Sequence, residues 1–149
     1  MIDLEIKGLK ELQDSFAKSP QIADAELQRA TKEAGKQILR TEVKEAPHKT
    51  GHLQQSIRMN YTPIKAEIYP TMNYAYWVHE GTDPHTIRPS RSKVLRFKTK
   101  SGKIVYTKLV RHPGTKENKF VDRTVVKVQS TIDRLFDTAL NNILNKLSQ

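Results

Sequence analysis

From Val121 to Leu147 apolar side chains recur at steps of three and four: Val121, Val125, Val128, Ile132, Leu135, Phe136, Ala139, Leu140, Ile143 and Leu147. That period belongs to a helix with a single apolar stripe. The spacing therefore predicts a helix lasting almost to the end of the chain, with its stripe in the core. With 149 residues, 36% of them hydrophobic, the chain is the right size for one globular domain, residues 1–149, and too small for two.

A second long helix is expected earlier. Ser19-Pro20 reads as its start, because a serine side chain can accept an orphan amide bond and proline at the first helical position loses no hydrogen bond. Its stripe is Ala23, Leu27, Ala30, Ala34, Ile38 and Thr41, a narrow seam of small residues that lets another backbone come close. Glu26, Arg29, Lys32, Glu33, Lys36 and Arg40 are assigned to the other sides. Pro47 ends this helix near Ala46, since the residue before a proline is pushed out of the helical region. Ahead of it, Ile2, Leu4 and Ile6 alternate as a short strand that Gly8 ends, and Leu9, Leu12 and Phe16 mark one face of a short helix. Between the long helices, Ile57, Met59 and Tyr61, then Ile64, Ala66 and Ile68, alternate as two strands of a meander bent at Thr62-Pro63 and closed by Pro70. Gly81-Thr82-Asp83-Pro84 is a turn, and Arg88 to Lys93 a polar loop.

The charge is as unevenly placed as the periodicity. Of a formal net charge of +10, all arises between Arg88 and Arg123, where twelve basic residues meet only Glu117 and Asp122. The remaining residues carry fourteen of each sign. A nearly neutral body with one cationic segment implies a polyanion or an acidic protein surface as partner. The segment reads as a protruding basic β-hairpin from about Val94 to Val110, turning at Ser101-Gly102. In that register Lys100 faces Lys103, Lys98 faces Val105 and Phe97 faces Tyr106. One side then presents Leu95, Phe97, Thr99, Ile104 and Tyr106, and the other Arg96, Lys98, Lys100 and Lys103. The bland alternative is a solvated hairpin whose lysines blunt an edge strand.

Several classes are disfavoured. The absence of cysteine excludes disulfides, thiolate metal sites and cysteine nucleophiles. Met1-Ile2-Asp3-Leu4-Glu5 lacks the basic start of a signal peptide, and no apolar run approaches the roughly 20 residues that span a bilayer. A soluble protein made in a cytosol, without a membrane role, is expected. His48 and His52 are four apart, but Pro47 and Gly51 prevent a shared helical face. His79, Glu80, Asp83 and His85 are dense in ligand types, yet Gly81 and Pro84 place them in a turn that does not match the two-histidine zinc helix. No nucleophile elbow or phosphate-cradling glycine loop is present. No enzyme, no cofactor and no metal is expected.

Two motifs stand out. Pro47-His48-Lys49-Thr50-Gly51-His52-Leu53-Gln54-Gln55-Ser56 follows the long helix: the proline breaks it, Thr50-Gly51 turns the chain, and Leu53 with Ile57 re-enters the core. Tyr74-Ala75-Tyr76-Trp77-Val78-His79-Glu80-Gly81-Thr82 is an aromatic cluster followed by a tight turn. In that order, with Lys119-Phe120-Val121-Asp122 as a looser third match that lacks a proline, they resemble the tail-completion or neck family of long-tailed bacteriophages. The resemblance covers about Gln21 to Leu147. Its most specific part is Pro47, Thr50, Gly51, Leu53 and Ser56, and Gly81 and Thr82 close the second motif. His79 stands where family members commonly carry glutamate.

The resemblance implies an α+β fold, with a small antiparallel β-sheet packed against a long helix and a C-terminal helix. It also implies a non-enzymatic minor tail component of the virion, made in the host cytoplasm and working at the head–tail neck. Its partners would be copies of itself in a hexameric or dodecameric ring, a head-closure or connector protein, a tail terminator or major tail protein, and double-stranded DNA in the channel. Ring contacts are expected at Tyr74, Tyr76, Trp77, Leu95, Phe97 and Tyr106, and electrostatic contacts at Arg96, Lys98, Lys100 and Lys103. Because strong phosphate pairing would hold a genome that must slide, docking on an acidic protein ring ranks above DNA contact. The competing reading is a small basic nucleic-acid-binding protein, with Phe97 and Tyr106 as stacking surfaces. Against it stands the expectation that those aromatics lie opposite the lysines.

Overall fold

A computed structural model describes residues 9–99 and 101–148. The expected strand at Ile2–Ile6 and the position of Lys100 lie outside the described residues, as do the side chains of Leu9, Leu12 and Phe16. In chain order the elements are α1 (Leu9–Glu45), α2 (His52–Ser56), β1 (Ile57–Thr62), β2 (Lys65–Pro70), α3 (Ala75–Glu80), β3 (His85–Ile87), β4 (Leu95–Lys98), β5 (Ile104–Thr107), β6 (Val110–His112) and α4 (Phe120–Leu147). The fold is α+β. The strands form three antiparallel pairs, β1–β2, β3–β6 and β4–β5. The chain divides into two compact units, one made of residues 1–72 and 120–149, the other of residues 73–119.

The first unit is built on α1 and α4. Pro20 lies inside α1, not at its start. A proline removes one ladder hydrogen bond and crowds an earlier carbonyl, at about 3 kcal/mol, but it does not oblige a helix of 37 residues to end. The seam of small residues is present, rotated from the expected one. Ala30, Ala34 and Gly35 are buried, but so are Glu26 and Glu42, while Leu27 is exposed. Glu26 is only 3% exposed because α4 supplies its partners: Asn142 Nδ2 donates at 3.1 Å and Lys146 Nζ at 2.7 Å. Those two donors hold the Glu26 carboxyl below the usual carboxylate range, Lys146 contributing most. At the other end of α1, Glu45 accepts from Arg123 and Lys127, and its carboxyl is likewise held low, first by Lys127 and then by Arg123. The start of α4 therefore lies against the end of α1, and the two helices run antiparallel.

The stripe of α4 is only partly core. Phe120, Thr124, Val128 and Ala139 are buried, whereas Val125 and Leu140 of the expected stripe are exposed, as are Val126 and Leu144 outside it. Periodicity reports which residues share a face, but it does not say whether this chain alone covers the full width of that face.

The β1–β2 hairpin lies on α1. Ile57 pairs with Pro70 and Thr62 with Lys65, so the bend is at Pro63-Ile64. Gly35 sets how closely it approaches: a Cβ there would stand 2.7 Å from Ala66 Cβ and 2.9 Å from Met59 Sδ. Tyr61 adds a polar tie, its hydroxyl donating to the Gln28 carbonyl at 3.1 Å.

The stretch from Pro47 to Ser56 is the corner between α1 and the hairpin. Gly51 takes φ 77°, a left-handed conformation that an L side chain rarely adopts. Gln54 Nε2 donates to the Ala46 carbonyl at 2.9 Å and so satisfies an end left open where α1 stops. Leu53 and Ile57 are buried. Ser56 Oγ donates to the Leu53 carbonyl, and the Ser56 carbonyl accepts from both the amide and the hydroxyl of Thr71.

Two outcomes test this unit. Gly35→Val should cost about 1–3 kcal/mol by overpacking against Ala66 and Met59, read as a lower urea midpoint. Glu26→Gln should lower stability near neutral pH. A carboxyl whose folded value is depressed contributes stability above its unfolded value and loses it as pH falls, so wild-type and variant urea curves should converge below the carboxylate range.

Candidate interaction surface

The second unit begins with the aromatic cluster. Tyr74 precedes α3, whose one and a half turns leave Tyr76 and Trp77 exposed with their rings edge-to-face at 5.0 Å, while Ala75 is buried. Gly81, at φ 79°, ends the helix. A Cβ on Gly81 would meet the Thr115 carbonyl oxygen at 2.6 Å, and one on Gly114, at φ 87°, would collide with the Thr82 carbonyl oxygen. These two glycines let Thr82 and Thr115 exchange backbone hydrogen bonds of 2.9 and 3.0 Å. The Asn118 amide then closes on the carbonyls of Val78 and His79, both at 3.1 Å.

The pairing of β3 with β6 places His85 opposite His112, ring centroids 5.0 Å apart. His85 Nδ1 donates to the Asp83 carbonyl, and His112 Nδ1 accepts from the Gly114 amide at 3.1 Å. With Trp77, Thr82, Asp83 and Thr115 the two histidines line an open cleft of about 580 Å³. Among the described residues no three metal-ligating side chains converge. Neighbouring His79 and Glu80 are in contact at 2.8 Å, and Glu80 also accepts from Lys119. Lys119 first and His79 second hold that carboxyl low, which suits an ion pair better than a proton shuttle near neutrality.

The β4–β5 ribbon corrects the sequence expectation. Leu95 pairs with Thr107, Arg96 with Tyr106, Phe97 with Val105 and Lys98 with Ile104. The register is one residue away from the expected one, because the loop is not a two-residue turn at Ser101-Gly102. The Thr99 amide donates to the Lys103 carbonyl and the Gly102 amide to the Thr99 carbonyl, both at 2.9 Å, with Gly102 at φ 86°. Thr99 thus stands opposite Lys103, and the connection carries a left-handed glycine and an odd number of residues. An odd loop shifts every partner by one and exchanges faces on one strand. Leu95, Phe97, Val105 and Thr107 therefore share one face, and Arg96, Lys98, Ile104 and Tyr106 share the other. The expected separation of aromatic from basic residues does not hold. Lys103 sits in the loop, and Val110, expected to end this hairpin, instead belongs to β6.

The net charge concentrates here. Residues 73–119 contain eleven basic and three acidic residues. Glu80 and Glu117 both face Lys119. Among the described residues, no basic side chain from Arg88 to Lys116 forms an ion pair. The first unit behaves oppositely, with Glu26, Glu33, Glu45 and Glu67 each bonded to lysine or arginine.

Residues 10–81 match the model of a family described as "Bacteriophage HK97-gp10, putative tail-component". Over that stretch the chain is similar to a family of phage tail components, in agreement with the tail-completion resemblance. The match runs from the first turn of α1 to Gly81, so it takes in the Pro47–Ser56 corner and nearly all of the aromatic motif. It stops before the Lys119–Asp122 stretch. No curated protein and no solved structure matches the chain. Among the described residues no helix is long and apolar enough to cross a membrane.

Gly114 offers a test of this unit. Gly114→Ala places a methyl on the Thr82 carbonyl and strains a left-handed position, which should cost more than about 1 kcal/mol. Faster hydrogen exchange at the Thr82 and Thr115 amides is the expected readout.

Proposed function

We propose that this chain is a structural, non-enzymatic subunit of the phage head–tail junction, of tail-completion or neck type, assembling as a ring between the connector and the tail. The observation that carries this reading is the match of residues 10–81 to a phage tail-component family. A ring of identical subunits uses head-to-tail contacts, so each copy needs two different adhesive surfaces. Two are available. On the first unit, Val125, Val126, Leu140 and Leu144 are 53%, 79%, 53% and 65% exposed, two apolar pairs toward opposite ends of α4 that invite covering. On the second, Tyr74, Tyr76 and Trp77 form an exposed aromatic group of the kind enriched at interfaces, and the Leu95 and Phe97 face of β4 offers separate apolar surface. In this reading the ring is a hexamer or a dodecamer, its neighbours are a head-closure or connector protein and a tail terminator or major tail protein, and the subunit passes from host cytoplasm to virion during assembly.

Counting copies per purified particle by quantitative mass spectrometry should give six or twelve, and antibody labelling should decorate the neck. Absence from the particle, or label at the distal tail, would refute the assignment. Leu140→Asp with Leu144→Asp changes already exposed positions. The double variant should keep its circular dichroism spectrum and fail to enter particles.

A further inference from the structure

We propose that the Arg96, Lys98, Ile104 and Tyr106 face of the β4–β5 ribbon binds a single nucleic-acid strand, Arg96 and Lys98 pairing with successive phosphates while a base stacks on Tyr106. The inference goes beyond the tail assignment and does not depend on ring formation.

Three observations carry it. First, Arg96 and Lys98 are exposed and outside any ion pair among the described residues. In the first unit, by contrast, Glu26, Glu33, Glu45 and Glu67 each hold a basic side chain. Second, alternate residues of a strand are about 6.8 Å apart on one face, close to the separation of neighbouring phosphates along a nucleic-acid strand. Third, Tyr106 is directly opposite Arg96 and is 63% exposed, with Ile104 beside it at 45%. A cation next to an open aromatic ring is the platform on which an unstacked base sits. Carboxylates of an acidic protein could satisfy the two cations, but they lack the extended π-face with which a base stacks on Tyr106. Bases within an intact duplex are already stacked on one another. The chemistry on this face therefore selects a single strand. The sliding constraint on a packaged genome concerns long duplex DNA and does not bear on this contact.

The test is fluorescence anisotropy of the full chain with a labelled 20-nucleotide oligo-dT across a salt series, with a duplex of equal length and poly-glutamate as comparison arms. Micromolar binding of oligo-dT is expected near 100 mM salt. Arg96→Ala with Lys98→Ala should weaken it about tenfold and reduce the slope of log affinity against log salt by about 1.4, since each single-strand phosphate contact contributes about 0.7. Lys18→Ala with Lys49→Ala removes the same charge elsewhere and should change little. Tyr106→Ala should cost about tenfold on oligo-dT, within the range for loss of one stacked base, and leave duplex binding unchanged. Tyr76→Ala, a tyrosine of equal exposure in the same unit, should have no such effect. The proposal is overturned if oligo-dT does not bind, if the two charge-removal pairs weaken it equally, or if Tyr106→Ala acts no more strongly than Tyr76→Ala. Poly-glutamate binding as tightly as oligo-dT at the same salt would overturn it in favour of an acidic protein partner.

Discussion

The antiparallel register of α1 against α4 is the constraint on which the first unit depends. Small residues such as Ala30, Ala34 and Ala139 let two helices approach, but alanine seams alone tolerate sliding because one small residue replaces another at little cost. Carboxylates do not slide. Glu45 is held by Arg123 and Lys127 at one end of the pair, and Glu26 by Asn142 and Lys146 at the other. A shift by one helical turn would leave the buried Glu26 charge without its donors, which is far costlier than an imperfect apolar contact. The β1–β2 hairpin is then placed by Gly35, where the helix lacks the atoms that would keep a strand away.

The two units treat charge in opposite ways. In the first, acids are spent on holding elements together. In the second, the three acids among residues 73–119 are outnumbered by eleven basic residues, and two of them converge on Lys119. That excess raises the potential around the β4–β5 ribbon and does nothing evident for its folding. Charge that costs self-repulsion and returns no internal contact is best understood as directed at another molecule.

Elements with strong periodicity or strong breakers were legible in the sequence: the last helix, the end of α1 before Pro47, and the β1–β2 hairpin bent at Pro63. What escaped depended on facts that residue type does not encode. Pro20 reads locally as a start signal, yet its penalty is small against a helix that continues on both sides. Glu26 reads as a solvated residue until its partners, 116 and 120 positions away, come into view. Val125 and Leu140 of the α4 stripe are exposed because hydrophobicity announces a face without announcing what covers it. At the ribbon, the composition and the turn glycine were visible, but one residue of loop length decided which side chains became neighbours. The approach of His85 to His112 follows from the pairing of strands separated by a whole hairpin, and the left-handed glycines flanking Thr82 and Thr115 were its faint signal.

The order of elements along the chain also has a kinetic meaning. Residues 73–119 lie between the two helices that pair, and their own contacts are local, so this unit can close while the ribosome is still translating. The first unit cannot. Synthesis at about 5–20 residues per second leaves α1 without α4 for on the order of ten seconds, its alanine seam and Glu26 open to water. The insert thus imposes a delay, during synthesis, on the pairing of α1 with α4.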